Sequence, residues 1–231
     1  MKKRKMLQGN LTQKYSAAEA WIHDYLIADR ALRLHMVILE HGKLTDVLAK
    51  KKEQRLLDVG CGGGQAAIRL KEIYPYLVLA GIDLSADQIS RARKRARRKG
   101  CDITFEVADA QDLPFEDVSF DVVYSFGSAK HWPDALKGLG ECWRVLKPGG
   151  ELLVADATSD ATIEQVENFY TISGMPGLFK KPLSAVLHRR MFRPARSVET
   201  YQRIATQLQM PPGTVSQIPS LPAFMFRAQK P

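Results

Sequence analysis

The residues of this sequence that could do chemistry are carboxylates and glycines that directly follow short apolar runs. One group is Asp58, Gly60, Gly62 and Gly64, and Asp83 ends the next apolar run. Glycine lets the backbone turn sharply and approach a ligand closely, and a helix that follows such a turn presents free N–H groups to an anion. A carboxylate at the position of Asp83 can accept hydrogen bonds from both hydroxyls of a ribose. These residues therefore predict a site for a ligand that contains a nucleoside.

A third acidic position, Asp109 followed by Ala110, comes after another apolar run. A carboxylate there could accept a hydrogen bond from the exocyclic amine of a purine. The glycine turn itself has the spacing G-x-G-x-G, and Gln65 stands where the dinucleotide-binding motif needs a third Gly or Ala. This difference argues against a nicotinamide-dependent dehydrogenase.

The elements that must position these residues alternate along the chain. Strands are predicted over residues 55–59, 77–83, 103–107, 120–126 and 151–156, and helices over 66–73, 86–99, 134–146, 161–170 and 197–208. Helical spacing also predicts a helix from residue 16 to about 40 and a short one over 44–48. Two more strands, near 214–218 and 223–227, are expected to complete the sheet as an antiparallel pair. Apolar strands that alternate with helices indicate a parallel sheet covered on both faces.

The chain resembles the class I S-adenosylmethionine-dependent methyltransferases. The resemblance rests on five segments in the family's order and spacing: Leu57–Gly64, Gly81–Ser85, Ala108–Phe115, Phe120–Val123 and Leu146–Gly150. Within the family, the third and fifth segments look most like the small-molecule branch, which includes quinone and sterol methyltransferases. The resemblance implies an α/β, Rossmann-like fold, with a mostly parallel seven-stranded sheet, helices on both faces and an antiparallel last strand.

The resemblance also implies S-adenosyl-L-methionine as the cofactor. Gly60, Gly62 and Gly64 would line its methionine part, and Asp58 would hold its amino group directly or through water. Structural roles for Asp58 as a turn cap and for Asp83 as a helix start are the alternative.

By the same resemblance, the nucleoside part would lie at the ends of the next two strands. Asp83 would bind the ribose, Leu84 would pack against the adenine, and Asp109 and Ala110 would bind the adenine edge.

His131 is the candidate catalytic base, because a histidine near neutral pKa can deprotonate a hydroxyl or an acidic carbon. It follows the fourth predicted strand, in the loop that faces the acceptor in proteins that this one resembles. The alternative is that His131 and Trp132 only anchor the next helix. The candidate acceptor-binding residues are Trp21, Tyr25, Ser125 and Trp132.

The predicted organisation has three parts. Residues 1–15 are expected to be a basic, flexible tail, and 16–53 to form N-terminal helices that cover the cleft. Residues 54–231 form the methyltransferase domain, with a lid-like insertion around 160–210, where apolar residues lie among Gly and Pro breaks.

Composition limits the remaining choices. The chain carries 34 Lys and Arg against 25 Asp and Glu, a net charge of +9, and seven cations lie within Arg91–Lys99 without an acid. A second basic group comprises Lys180, Lys181, Arg189, Arg190, Arg193 and Arg196. We interpret the first group as a solvated helix face, and the second as a group that could steer an anionic substrate. Binding of RNA phosphates or of an anionic membrane surface through these groups is the alternative.

The sequence gives no metal-ligand pattern, no apolar run long enough to span a membrane and three widely spaced cysteines, which favours a cytoplasmic protein. We therefore predict a methyltransferase that acts at O or C of a small molecule. An RNA methyltransferase and a non-catalytic cofactor-binding scaffold are the alternatives, and the oligomeric state is left open.

Overall fold

The computed structural model describes residues 37–38, 40, 42–49, 53–173, 184–186, 188–212 and 214–231. Seven strands form one sheet: β1 Arg55–Val59, β2 Val78–Asp83, β3 Thr104–Val107, β4 Phe120–Phe126, β5 Leu146–Ala157, β6 Val215–Gln217 and β7 Ala223–Gln229. Their order is β3-β2-β1-β4-β5-β7-β6. β7 is antiparallel to both of its neighbours, so the other six strands run in one direction. The predicted fold class is therefore confirmed, including the antiparallel last strand.

Six α-helices have both ends within the described residues: α1 Leu44–Ala49, α2 Gln65–Ile73, α3 Ala86–Lys99, α4 Ala135–Val145, α5 Ile163–Ile172 and α6 Val198–Gln207. A 3₁₀ turn spans Ala129–His131 and a π-helical turn spans His188–Phe192. Short side chains fix the starts of several helices. The Ser85 hydroxyl accepts the N–H of Gln88 at 3.3 Å, and the Asp134 carboxylate accepts the N–H of Lys137 at 3.0 Å. Gly100 ends α3 with φ at +63°, as its position after the last basic turn predicts.

Alternate strand residues supply two separate apolar cores, because successive side chains of a strand point to opposite faces of the sheet. Leu57, Val123 and Val154 pack with α4 and α6 on one face. Leu56 and Leu153 pack with α1 on the other. The sheet is therefore covered on both faces, which places the ends of its strands at the surface.

Several predicted boundaries were wrong by one or more residues, and local residues explain two of the differences. β5 begins at Leu146, since Leu146 already has extended angles (φ −79°, ψ 136°) and α4 stops at Val145. Lys147 precedes a proline, which disfavours a helical conformation and extends the backbone before the glycines. The helix predicted over residues 161–170 begins later, at Ile163, because Thr162 forms a capping box with Gln165.

The expected tail over residues 1–15 and most of the expected N-terminal helices lie outside the described residues, as do Trp21 and Tyr25. The insertion around 160–210 is described on both sides of a gap and contains α5, the π-helical turn and α6. No helix of the described part is long and apolar enough to cross a membrane.

Candidate active site

The candidate site lies at the carboxyl ends of the parallel strands, where the strand order reverses between β1 and β4. Open α/β sheets bind ligands at this point, since the loops of the two strands diverge there. The glycine turn follows β1, and its backbone is tied to β2 by two hydrogen bonds, from the N–H groups of Gly60 and Cys61 to the Ile82 carbonyl at 2.8 and 2.9 Å. The turn is therefore held against the neighbouring strand end.

Positive φ angles at the glycine turn explain its composition. Gly60, Gly62 and Gly64 have φ of +78°, +51° and +76°, a region that other residues rarely adopt. A Cβ at Gly60 would overlap the side chain of Ser128, in the loop after β4. At Gly64 it would lie 2.8 Å from the Phe105 ring, while at Gly62 it would meet nothing within 4 Å. Two of the glycines thus permit close packing, and Gly62 leaves open space above the turn.

Asp83 connects the ends of the first two strands. Its Oδ2 accepts the N–H of Gly62 at 2.9 Å, and its Oδ1 accepts the N–H of Ser85 at 2.9 Å. The carboxylate is partly buried, and it organises both the glycine turn and the start of α3. Because an ionised carboxylate has about four acceptor positions, these two bonds leave capacity for a ligand hydroxyl.

Asp58 is buried at the end of β1, with 4% of its surface exposed. It pairs with Tyr124 across β1 and β4. Asp58 Oδ2 and the Tyr124 hydroxyl form no well-aligned hydrogen bond with each other, and neither has another partner within the described residues. Burial raises the pKa of Asp58 to about 7; the Tyr124 hydroxyl opposes this rise and the charge of Asp83 adds to it. An unpartnered buried carboxylate oxygen is costly, so this position is suited to a cationic ligand group.

The predicted adenine-binding positions differ in exposure. Leu84, directly after β2, is 56% exposed, so its side chain is accessible to a ligand at this strand end. Asp109 is exposed and closes its own turn by accepting the N–H of Gln111 at 2.9 Å, whereas Ala110 is buried. Gln111 in turn accepts the N–H of Asp134 at 2.9 Å, which connects this turn to the start of α4.

The loop after β4 carries His131 and Trp132. His131 is exposed, and its N–H is bonded to the Ser128 carbonyl at 2.9 Å. Trp132 is buried, donates its indole N–H to Ser128 Oγ at 3.0 Å and packs tightly over Gly138 of α4. Trp132 thus anchors the helix that follows. Ser125 is fully buried, and its hydroxyl has no hydrogen-bond partner within the described residues.

Asp156 and Arg196 hold the backbone of this loop. The sequence analysis did not assign either residue to the site. Asp156, at the carboxyl end of β5, accepts the N–H of Lys130 at 2.8 Å. The Arg196 guanidinium donates to the carbonyl of Trp132 at 2.7 Å and also contacts those of Ala129, Lys130 and Pro133, at 3.3, 3.5 and 3.2 Å. Because Asp156 also ends a parallel strand, its position was the signal that could have identified it.

These contacts correct the interpretation of the two basic groups. Arg196 is engaged with the His131 loop and is not free to steer a substrate. In the first group, the guanidinium of Arg93 donates to the Phe105 carbonyl at 2.9 and 2.5 Å, and Arg95 donates to the Gly63 carbonyl of the glycine turn. That helix face is therefore only partly a solvated surface. Lys180 and Lys181 lie outside the described residues.

The glycine turn also contains a cysteine. Cys61 is buried in the glycine turn, and burial, with the charges of Asp58 and Asp83, raises the pKa of its thiol well above the ordinary value. It is therefore protonated and is no nucleophile. In the part of the chain that the structure describes, no cluster of three or more His, Cys, Asp or Glu side chains could hold a metal ion. Two cavities, of about 260 and 290 Å³, contain none of the predicted cofactor residues in their lining, although Gln65, next to Gly64, lines the second.

A family model described as a methyltransferase domain matches residues 57–154. Two curated relatives are similar over 116 and 152 aligned residues. The 27-O-demethylrifamycin SV methyltransferase of Amycolatopsis mediterranei is 41% identical over 49% of this chain and 42% of its own length. The O-methyltransferase rstn1 of Aspergillus nomiae is 34% identical over 63% of this chain and 67% of its own length. The chain thus spans less than half of the first relative and two thirds of the second.

A solved structure supports the same fold over nearly the whole chain. The SAM-dependent methyltransferase from Aquifex aeolicus has a TM-score of 0.66 to this structure, with 16% identity, over 93% of this chain and 98% of that one. At this identity the likeness concerns the fold alone. It nevertheless extends well beyond residues 57–154, into the insertion and the final strands.

Proposed function

This chain belongs to the class I S-adenosylmethionine-dependent methyltransferases, and from this premise we propose that it methylates a small molecule at oxygen or carbon. S-adenosyl-L-methionine is the family's cofactor, and its sulfonium group supplies an electrophilic methyl carbon. The protein's part in such a reaction is to bind the donor, align the acceptor with the methyl group and exclude water. No metal and no covalent intermediate are needed.

The observation that carries this proposal is the buried, unpartnered Oδ2 of Asp58 beside the glycine turn. A buried carboxylate is stable when a cation pairs with it, and the ammonium group of the cofactor's methionine part is such a cation. The open space at Gly62 leaves room for the methionine chain. On this account Asp58 holds the ammonium, and the turn lies along the methionine part.

The nucleoside part fits the next two strand ends. Each carboxylate oxygen of Asp83 accepts one backbone N–H, from Gly62 or Ser85, and retains a further acceptor position. These positions would accept hydrogen bonds from the ribose hydroxyls. The exposed side chain of Leu84 would be covered by the adenine ring, and the Asp109–Ala110 turn would bind the adenine edge. Burying half of a leucine side chain contributes about 1 kcal/mol to such binding.

We assign His131 the role of a base that takes a proton from the acceptor. It is exposed in the loop after β4, and the backbone of that loop is fixed by Ser128, Asp156 and Arg196 through the contacts described above. A fixed backbone limits the orientations of the imidazole ring, which a proton transfer requires. Trp132 and Ser125 are buried. In our proposal they therefore shape the wall of the acceptor pocket and do not bind the acceptor directly.

The names of the two curated relatives support a small molecule that is methylated on oxygen, and they do not favour the RNA alternative. We further propose that the insertion around residues 160–210 and the residues 16–53 cover the acceptor. A cytoplasmic location, which the three free cysteines favour, also belongs to the proposal.

The test is an assay of methyl transfer from S-adenosyl-L-methionine to a panel of hydroxylated aromatic compounds and quinols. The released S-adenosylhomocysteine is the quantity measured. We expect turnover with at least one member, its loss in Asp58→Asn and a strong reduction in His131→Ala. Cofactor binding without turnover on the panel or on a metabolite extract would overturn the enzyme proposal in favour of a non-catalytic scaffold.

A further inference from the structure

The basic face of α3 contains cationic side chains that form hydrogen bonds within the protein and others that do not. Arg93 and Arg95 hold the Phe105 and Gly63 carbonyls. Lys94, Arg97 and Arg98 are exposed, and no hydrogen bond or ion pair engages their side chains in the described part of the chain. Like charges four residues apart, such as Lys94 and Arg98, destabilise a helix. A bound anion would remove this repulsion.

A groove between α2 and α3 gathers part of this charge. Its volume is about 290 Å³, and it is lined by Gln65, Ile68, Arg69, Glu72, Arg95, Arg98 and Lys99. Four of these side chains are cationic and one is acidic, which gives the lining a net charge of +3. Glu72 is already shared between Arg69 at 3.3 Å and Lys99 at 3.1 Å, and these cations lower the pKa of its carboxyl. The single carboxylate of Glu72 therefore does not neutralise the positive charge of the groove.

We propose that the groove between α2 and α3 is a binding site for a phosphate-bearing anion. Arginine presents its N–H groups as a planar fork that matches two phosphate oxygens, and Arg98 places such a fork on the groove. Arg95 adds its positive charge while its guanidinium donates to the Gly63 carbonyl. Lys99 adds a flexible point charge at its rim. The volume exceeds that of one phosphate group, so a pyrophosphate or a phosphodiester fits the charge and the space.

The site is coupled to the glycine turn through Arg95. This side chain lines the groove and also donates to the Gly63 carbonyl, between Gly62 and Gly64. An anion that draws the guanidinium toward the groove weakens that contact and loosens the turn. Because coupling between two binding sites is reciprocal, the anion lowers affinity for a ligand of the turn and that ligand lowers affinity for the anion. Only this coupling rests on the proposed function; anion binding does not.

The test uses two double variants that each remove two charges from the same helix. Arg98→Gln with Lys99→Gln changes the groove, and Lys94→Gln with Arg97→Gln is the control outside it. Inorganic pyrophosphate is titrated calorimetrically into each protein at 0.1 M salt, after thermal unfolding has shown that all three are folded. We expect saturable one-to-one binding that weakens at least tenfold in the groove variant and no more than twofold in the control. Equal weakening in both, or no saturable binding to the native chain, overturns the proposal.

A second arm distinguishes the source of the phosphate. Vesicles of phosphatidylglycerol are compared with vesicles of phosphatidylcholine in a flotation assay. Retention on the anionic vesicles that pyrophosphate reverses assigns the groove to a lipid headgroup, whereas pyrophosphate binding without retention assigns it to a soluble phosphate compound. Titration of S-adenosylhomocysteine with and without pyrophosphate then tests the coupling. If pyrophosphate binds and S-adenosylhomocysteine does not, the proposed function fails and the anion site stands.

Discussion

Gly62 donates its backbone N–H to Asp83 Oδ2 over 2.9 Å, which joins the turn after β1 to the end of β2. The other oxygen of the same carboxylate accepts the N–H of Ser85, the residue that caps α3. One side chain thus fixes the two loops that would contact the methionine and nucleoside parts of the cofactor. The loops lie next to each other only because β1 and β2 pair in register, from Arg55 with Val78 to Val59 with Ile82.

Replacing Asp83 with Ala should therefore affect binding more than folding. Hydrogen bonds to a charged group contribute about 1.5–3 kcal/mol each, so the loss of the ribose contact and of the Gly62 contact predicts a fall in S-adenosylhomocysteine affinity of at least roughly tenfold. Calorimetric titration measures it. Asp102→Ala is the matched control, because Asp102 is exposed and lies away from the turn, and it should leave the affinity unchanged. Equal affinity in Asp83→Ala would rule out the ribose role.

Affinity for S-adenosylhomocysteine should rise with pH. Burial raises the pKa of Asp58 to about 7, and only the ionised carboxylate attracts an ammonium group. Between pH 5.5 and the pKa we expect up to about tenfold tighter binding per pH unit, with a proton released on binding, and a plateau above the pKa. Titration in buffers of different ionisation enthalpy detects the proton. Asp58→Asn should bind S-adenosylhomocysteine weakly at every pH. If the affinity of Asp58→Asn depends on pH in the same way as that of the native protein, another group is responsible for the titration.

The same pKa has an opposite consequence for the ligand-free protein. The folded-state pKa of Asp58 is above its ordinary value of 3.8, so its protonated form is the one that folding favours. The contribution of this group to stability is fully present below about pH 4 and is lost as the pH rises to about 7. Urea unfolding of the native chain and of Asp58→Asn should show this pH-dependent difference. A difference with the opposite sign would contradict the burial of Asp58.

Much of the fold could be predicted from local signals. Ser85 and Gly100 mark the two ends of α3 because a hydroxyl cap and a left-handed glycine act within one helical turn. The strands were recognisable as apolar runs, and the acidic residues and glycines at their ends could be assigned to one edge of the sheet. The extension of β5 through Pro148 was missed, since its glycines and proline were interpreted as a break in the chain.

The supporting contacts of the site could not be predicted in this way. Arg196 reaches Trp132 across 64 positions of sequence and Arg95 reaches Gly63 across 32. Such pairs depend on where whole helices pack, and no periodicity or motif encodes them. The same holds for the pairing of Asp58 with Tyr124, which follows from the register of β1 with β4.

Arg196→Ala should loosen the His131 loop. The variant leaves up to four backbone carbonyls without a charged donor, which predicts a loss of stability of about 1–3 kcal/mol and faster hydrogen exchange over residues 127–133. Arg203→Ala, in the helix α6 that follows Arg196, is the control: Arg203 forms an exposed pair with Glu199 at 2.5 Å, and such pairs contribute less than about 1 kcal/mol. Unchanged exchange in Arg196→Ala would mean that Asp156 alone holds the loop.

Gly60→Ala should disrupt the turn, because a methyl group there overlaps Ser128 and the residue has φ of +78°. Overpacking typically costs 1–3 kcal/mol, and a left-handed conformation adds roughly 1–2 kcal/mol. Gly62→Ala carries only the conformational cost, since its Cβ meets nothing within 4 Å. Urea unfolding should therefore give the highest free energy of unfolding for the native protein, a lower one for Gly62→Ala and the lowest for Gly60→Ala. Adding Ser128→Gly to Gly60→Ala should restore part of the lost stability. The reverse ranking would show that Gly60 and Ser128 are not in contact.

The central claim is that the turn from Gly60 to Gly64, with Asp58, binds the cofactor, and titration of the purified protein with S-adenosylhomocysteine tests it most directly. NADH serves as the control ligand and Asp58→Asn as the control protein. We predict micromolar, one-to-one binding of S-adenosylhomocysteine, no binding of NADH and at least tenfold weaker binding to the variant. Binding of neither ligand, or equal binding to the native protein and to Asp58→Asn, would contradict this assignment of the turn and Asp58.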